Sequence, residues 1–282
     1  MSGSITVVLL GTGSPLPDAN RAGPSTLIQA DGVNILVDAG RGVVMRLSAA
    51  GVLPVMLHAV LLTHLHSDHI SDLNDVITTS WVMTTSAAPL TIYGPPGTRQ
   101  VVEAVLAMLA PDISYLLAHH DDLTHSPDPV VVEVAPGDEF KVGALTVRVG
   151  QTNHRPVEPT VAYRVESGDT SVVLAGDGVP CEALDALLIG ATAYVQTAIR
   201  DDLVRLVPSA RFNDILDYHS SVAQAADTAQ RAGVLTLILT HYVPAPALGQ
   251  YDEWRERAAA FTGQLVVGDD LTSVSVASSP DA

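Results

Sequence analysis

Residues 61–73 read LLTHLHSDHISDL. His64, His66, Asp68 and His69 follow directly on an apolar run. Such a run buries itself in a sheet, so it carries the polar cluster at its end to a partly buried place. Imidazole nitrogens and a carboxylate brought together there suit zinc and similar borderline divalent ions. In an extended segment His64 and His66, two apart, point the same way, and Asp68 and His69 then project from the turn into a helix. Four ligands on one short loop do not complete two tetrahedral shells. A two-metal centre needs about three more ligands from elsewhere in the chain.

Such ligands stand at other strand ends. His154 follows LTVRVGQTN, Asp177 follows SVVLAG and His241 follows LTLILT. Side chains at the ends of several strands converge on one edge of a sheet, where a binuclear site can form. The remaining pattern supplies the strands and helices for this. Strands are expected at 4–11, 58–64, 90–94, 130–134, 144–149, 160–166, 171–175, 193–197, 235–241, 264–267 and 272–276, with a hairpin over 25–40 turning at Asp31-Gly32. Helical spacing is expected over 41–51, 67–85, 98–109, 182–190, 209–217, 220–232 and around WRERAAAFTG, while 111–129 reads as irregular. No repeat period and no linker divides the chain, so 1–282 reads as a single domain. Two β-sheets with helices outside is the economical architecture, because so many apolar strands need both faces covered.

With 47 % apolar and 16 % charged residues a sizeable core is expected. No stretch reaches about 18 uninterrupted apolar residues, so no membrane association is expected. MSGSITVVLLG has no basic leader region and reads as a first strand. Cys181 is the only cysteine, which excludes an intrachain disulfide and fits a cytoplasmic protein. The net charge is −17 and Lys141 is the only lysine, a balance that repels polyanions at long range.

The ordered motifs resemble the ribonuclease Z-like branch of the metallo-β-lactamase superfamily. LLGTGSPLPDANRAGPST, LLTHLHSDHISDL, HRPVEPTVAYRVES, VVLAGDG, DYHSSVAQAA and LTHY match that branch in order over nearly the whole chain. The resemblance implies an αββα sandwich (an α+β fold of two mixed β-sheets between helices) and two zinc ions, with manganese or iron as substitutes. His64, His66 and His154 would hold one ion, Asp68, His69 and His241 the other, and Asp177 would bridge them. It further implies a hydroxide between the ions as nucleophile, with Asp68 orienting it. His219 would donate to the scissile phosphate or to the leaving oxygen. Homodimers are frequent in the family.

Three departures point away from transfer-RNA processing. There is no long basic arm, Arg41-Gly42-Val43-Val44 replaces an acidic-Gly-Thr-Gln pattern, and Gly178 rather than Thr follows Asp177. The leading expectation is a zinc-dependent, ribonuclease Z-like phosphodiesterase whose transfer-RNA processing is in doubt, with a small phosphodiester or RNA as candidate substrate. The alternative is an arylsulfatase- or lactonase-like hydrolase of a small ester on the same site, and a third reading is a non-catalytic metal-binding protein. Arg155, Arg164 and Arg200 either favour an anionic substrate or form salt bridges. His119, His120 and His125 read as surface residues, and His58 and Cys181 as packing residues. Gly11 and Gly13 read as a tight turn near the site, and Ser220 as the cap of the helix behind His219.

Overall fold

The computed structural model describes residues 3–84 and 89–278. The first half contains β1 (Ser4–Gly11), β2 (Ser25–Ala30), β3 (Val33–Val37), α1 (Val43–Ala49), β4 (Ala59–Leu61), α2 (Ser67–Ile70), α3 (Leu73–Met83), β5 (Thr91–Gly94), α4 (Thr98–His119) and β6 (Val130–Glu133). The second contains β7 (Glu139–Val142), β8 (Leu145–Gln151), β9 (Val161–Ser167), β10 (Thr170–Leu174), α5 (Glu182–Leu188), β11 (Ala193–Ile199), α6 (Asp201–Val204), α7 (Ala210–Asn213), α8 (Val222–Ala232), β12 (Thr236–Val243), α9 (Asp252–Arg257), β13 (Gln264–Val267) and β14 (Thr272–Ala277).

The strands form two seven-stranded mixed sheets, ordered β14-β1-β2-β3-β4-β5-β6 and β13-β12-β11-β10-β9-β8-β7. Their facing sides share one apolar core, in which Val7, Leu9, Ile35 and Leu61 of the first sheet meet Val147, Tyr163, Val172 and Val195 of the second. The outer face of the first sheet packs against α1, α3 and α4 through Val43, Leu47, Val76, Ile77 and Val102. The outer face of the second packs against α5, α8 and α9 through Leu184, Leu188, Ala225, Ala229 and Trp254. This is the expected αββα sandwich. Strands β10, β11 and β12 are buried at every residue, which is why they read as unbroken apolar runs rather than alternating ones.

Several local expectations fail for identifiable reasons. The helix expected from 67 is two helices, because the Asp72 backbone N–H turns aside to the Ala39 carbonyl; its expected end, Thr85, lies outside the described residues. Helix α4 continues through Pro111 to His119, taking in half of the stretch read as irregular. Ile113, Leu116 and Leu117 are partly buried along one side of that extension, so the apolar stripe outlasts the proline. Strand β7 was missed; its EFKV has an exposed, charged edge that masks the alternation. The cap of α8 is Ser221, not Ser220: Ser221 Oγ accepts from Gln224 N–H while Gln224 accepts from Ser221 N–H. His58 is exposed rather than packed, and its Nδ1 accepts from the Asn34 N–H.

The ends of β3, β4, β8, β10 and β12 all lie at the same edge of the sandwich. A rigid frame of two sheets therefore delivers loops from both sheets to one place.

Candidate metal centre

Asp177 sits at this edge, buried to 2 % exposure. Its Oδ2 lies 3.4 Å from His69 Nε2, 3.5 Å from His241 Nε2, 3.7 Å from His64 Nε2, and 3.8 Å from both His154 Nε2 and His219 Nδ1. The structure thus brings together all eight side chains singled out in the sequence. They fall into overlapping groups with ligand atoms mutually within 4.8 Å: His64, His66, His154 and Asp177; Asp68, His69 and His241; and Asp177, His219 and His241. In the first group His66 Nδ1 is 3.1 Å from His64 Nε2 and 3.3 Å from His154 Nε2. In the second, Asp68 Oδ2 is 3.6 Å from His69 Nε2 and 3.2 Å from His241 Nε2.

The hydrogen bonds behind these rings set which nitrogen faces inward. A carboxylate only accepts, so His69 Nδ1–H donates to Asp38 Oδ2 at 2.8 Å, leaving Nε2 bare towards the centre. The single hydroxyl proton of Thr63 goes to Asp38, 2.9 Å away, so the Thr63 oxygen accepts from His64 Nδ1–H at 3.0 Å. His64 Nε2 is bare as well. His154 Nδ1–H donates to the Tyr218 carbonyl at 2.8 Å. Asp38 therefore orients two rings, one directly and one through Thr63. Sequence reasoning missed it, although the signal was present: Asp38 directly follows apolar β3, as Asp177 follows β10. Asp38 adopts a left-handed backbone (φ 60°), a conformation that Asp tolerates better than most residues.

The loops are also tied to one another. Thr152 Oγ1 donates to the Asp177 carbonyl at 2.7 Å. A Cβ at position 178 would lie 2.4 Å from that same hydroxyl oxygen, so Gly178, a departure from the family pattern, has a local cause in Thr152. A Cβ on Gly176 (φ 65°) would meet Thr63 at 2.8 Å, which fixes how closely the Asp177 loop approaches the histidine loop.

The charges are mutually dependent. Burial opposes ionisation of Asp177, but His241, His69 and His219 hold its carboxyl well below the usual range. Burial also works against charge on His69 and His241, yet Asp177 raises both, assisted by Asp38 at His69 and by Asp68 at His241. His64 is pushed well down by burial and by His69. Burial brings His219 down to about 3, so its ring is neutral at pH 7. His69 Nε2, Asp177 Oδ1, His219 Nδ1 and His241 Nδ1 are buried without hydrogen-bond partners. Bare imidazole nitrogens facing one another around a carboxylate, with orphaned atoms among them, fit divalent metal ions.

The other candidates lie elsewhere. Arg155 pairs with Glu158, Arg164 with Glu166, and Arg200 with Asp202 and Glu253, so each forms the salt bridge foreseen as its alternative. His119, His120 and His125 are exposed on and after α4. Cys181 packs against the outer core of the second sheet. Gly11 and Gly13 do form a close turn: a Cβ on Gly11 would lie 1.9 Å from the Gly23 carbonyl oxygen.

Comparison with known proteins follows the same lines. The family model of the beta-lactamase superfamily domain matches residues 33–242. A Mycobacterium sp. (strain KMS) protein named Ribonuclease Z is 57 % identical over 274 residues, covering 96 % of each chain. Human tRNase Z, short form, superposes with a TM-score of 0.70 at 20 % identity, over 96 % of this chain and 99 % of that one. The metallo-beta-lactamase fold protein YhfI from Bacillus subtilis gives 0.76 at 22 %, over 97 % and 99 %. These two likenesses speak to the fold.

Asp38→Asn keeps the shape but leaves Asp38's place with an amide that no longer accepts at both oxygens. The expected outcome is a metal affinity about 10- to 100-fold weaker, in a chain that still folds. Metal titration of the variant checks this, and unchanged affinity would show that Asp38 does not govern the rings.

Proposed function

This chain belongs to the ribonuclease Z family of the beta-lactamase superfamily, and from that membership we propose that it is a two-metal phosphodiesterase acting on RNA phosphodiesters. The observation that carries the reading is the place of Asp177 between two ligand groups: it belongs to that of His64, His66 and His154, and its Oδ2 stands 3.4 and 3.5 Å from His69 and His241 of the other. His64, His66 and His154 would hold one ion and Asp68, His69 and His241 the other, with Asp177 common to both. Zinc suits the donor set best, with manganese or iron as substitutes. Bound ions of this kind lower the pKa of water from about 16 towards 7 and offset the charge of a phosphodiester.

The chain's own groups supply the rest. Asp68 sits at the junction of its two histidines and would accept a hydrogen bond from the attacking water, fixing its direction. His219 stands beside Asp177, its ring 5.0 Å from that of His154 and 5.6 Å from that of His241. Because its ring is neutral at pH 7, it serves as an N–H donor to a phosphate oxygen or the leaving oxygen rather than as a ready source of a proton. The buried setting strengthens each of these contacts.

A second reading, a small phosphodiester as the natural substrate, is favoured by the charge of −17 and by the pairing of Arg155, Arg164 and Arg200 with carboxylates. We further propose a homodimer. Met45 on α1, Val82 and Met83 on α3, Met108 and Tyr115 on α4, and Met56 in the turn before β4 are all exposed. Helix α4 is long and apolar enough to cross a membrane, yet most of it is left unburied. Copies carrying −17 each repel one another, and this sparsely charged layer is where that repulsion costs least.

Three outcomes are expected. The purified metal form turns over bis-p-nitrophenyl phosphate and cleaves precursor transfer RNA at low salt, with little action on an aryl sulfate or a lactone. Turnover confined to the sulfate or lactone would overturn the phosphodiesterase reading, and diester turnover without RNA cleavage would support the second one. His219→Ala retains its metals and loses about 10²- to 10³-fold in kcat; loss of metal instead would make His219 a ligand. Sedimentation gives a dimer that Met108→Glu converts to monomer, and a monomeric parent protein would remove the dimer proposal.

A further inference from the structure

His241 differs from three of the other candidate ligands. His64, His69 and His154 are each steered by a hydrogen bond at Nδ1, whereas the buried Nδ1 of His241 has no partner. Its backbone stands in the left-handed region (φ 54°), which a non-glycine residue does not hold without support. The aim of this ring is therefore set through the main chain, and the support comes from a remote quarter.

The next residue, Tyr242, is fastened on three sides. Its N–H donates to the Thr12 carbonyl at 3.0 Å. Its hydroxyl donates to the Leu239 carbonyl at 2.8 Å and accepts from Gly268 N–H at 3.0 Å. Its ring lies 5.2 Å from the guanidinium carbon of Arg21. Arg21 is the centre of this arrangement. Its side chain is fully buried, and it donates to Thr12 Oγ1 at 2.6 Å, to Asp269 Oδ1 at 2.8 Å and to the Pro246 carbonyl at 3.1 Å. Asp270 closes the ring of contacts. Its Oδ1 accepts from the Thr12 N–H at 2.9 Å and hydroxyl at 2.7 Å, and its Oδ2 from Ala22 N–H at 2.7 Å and Arg46 Nε at 2.9 Å.

We propose that Arg21 is a positioning residue for the metal position formed by Asp68, His69 and His241, acting through Thr12 and Tyr242 on the His241 backbone. The planar guanidinium is required, because three acceptors on three different loops are met at once; an ammonium on a flexible stem does not meet them in the same plane. One side of the clamp is the turn after β1, the other the loop between β13 and β14, so the ligand on β12 is held from the first sheet as well as from its own. The partners of Arg21 are Thr12, Pro246, Asp269 and the Tyr242 ring, none of them a candidate ligand.

The proposal rests on the two-metal reading, and the test separates the two. Apo protein is titrated with Co²⁺ alone and the visible absorption of each equivalent is followed, for the parent chain, Arg21→Lys, Thr12→Val and Arg200→Lys. Arg200 is an equally buried arginine with its own carboxylate partners, and it controls for general loss of stability. The expected result is tenfold or greater weakening of one equivalent in Arg21→Lys and Thr12→Val, with the other unchanged and both intact in Arg200→Lys. A parent chain that binds one ion overturns the two-metal reading and this proposal with it. Two equivalents of parent-like affinity in both clamp variants overturn this proposal alone. So does parallel weakening of both equivalents, or the same change in Arg200→Lys. Should Arg21→Lys fail to fold, Thr12→Val decides the matter by the same criteria.

Discussion

The arrangement depends on one buried carboxylate. Asp177 is removed from water at the centre of five imidazoles, and an isolated charge in that place would be too costly to keep. Its ionised state is held by the rings around it, and the upward pull on His69 and His241 against burial comes from Asp177, with Asp38 and Asp68 beside it. Neither side is tolerable alone. The centre is thus a set of donors that has been forced together and wants cations, and the two sheets are the device that does the forcing.

The two sheets do this differently. On the first, Asp38 and Thr63 act on the rings themselves, turning the bare nitrogens of His69 and His64 inward. On the second, the His154 ring is turned by the Tyr218 carbonyl, and the rest of the control runs through the main chain: Thr152 grips the Asp177 carbonyl, Ser220 grips Gly178, and Tyr242 is gripped by Thr12. Side-chain steering fixes a tautomer, and backbone fastening fixes a direction. A site built from both sheets needs each, because ligands from one sheet have no register relationship to ligands from the other.

What could be read in the sequence follows from the range of the forces involved. Apolar strands that end in His or Asp are visible because burial and ligand chemistry are written in adjacent residues, and for that reason His64, His66, Asp68, His69, His154, Asp177 and His241 stood out. Helix α4 beyond Pro111 was not visible, because the proline signal is local while the packing of Ile113, Leu116 and Leu117 is not. The break between α2 and α3 depends on Asp72 meeting Ala39, a contact between loops far apart in the chain. The clamp around Arg21 joins residues near 12, 21, 242 and 270, and no window of sequence contains it. Asp38 is the instructive case: it ends an apolar strand much as Asp177 does, and only its hydrogen bonds with His69 and Thr63 show that it orients ligands.

On the proposed reading, charge bears on how RNA would reach such a site. The net charge of −17 raises a long-range barrier to polyanions, and arginines near the surface such as Arg155, Arg231 and Arg257 are already engaged by carboxylates. Few counterions would be released from RNA by such a surface, so little of the usual sequence-independent affinity is available. The concentrated positive charge of the loaded protein would instead lie inside the site, in the ions between the histidines. Recognition organised this way favours the phosphodiester being cut over the body of the RNA, and it makes binding and catalysis draw on the same few contacts. Under that proposal, groups that tighten only as charge develops on the phosphate, His219 foremost, would carry more of the rate than groups that hold the substrate beforehand.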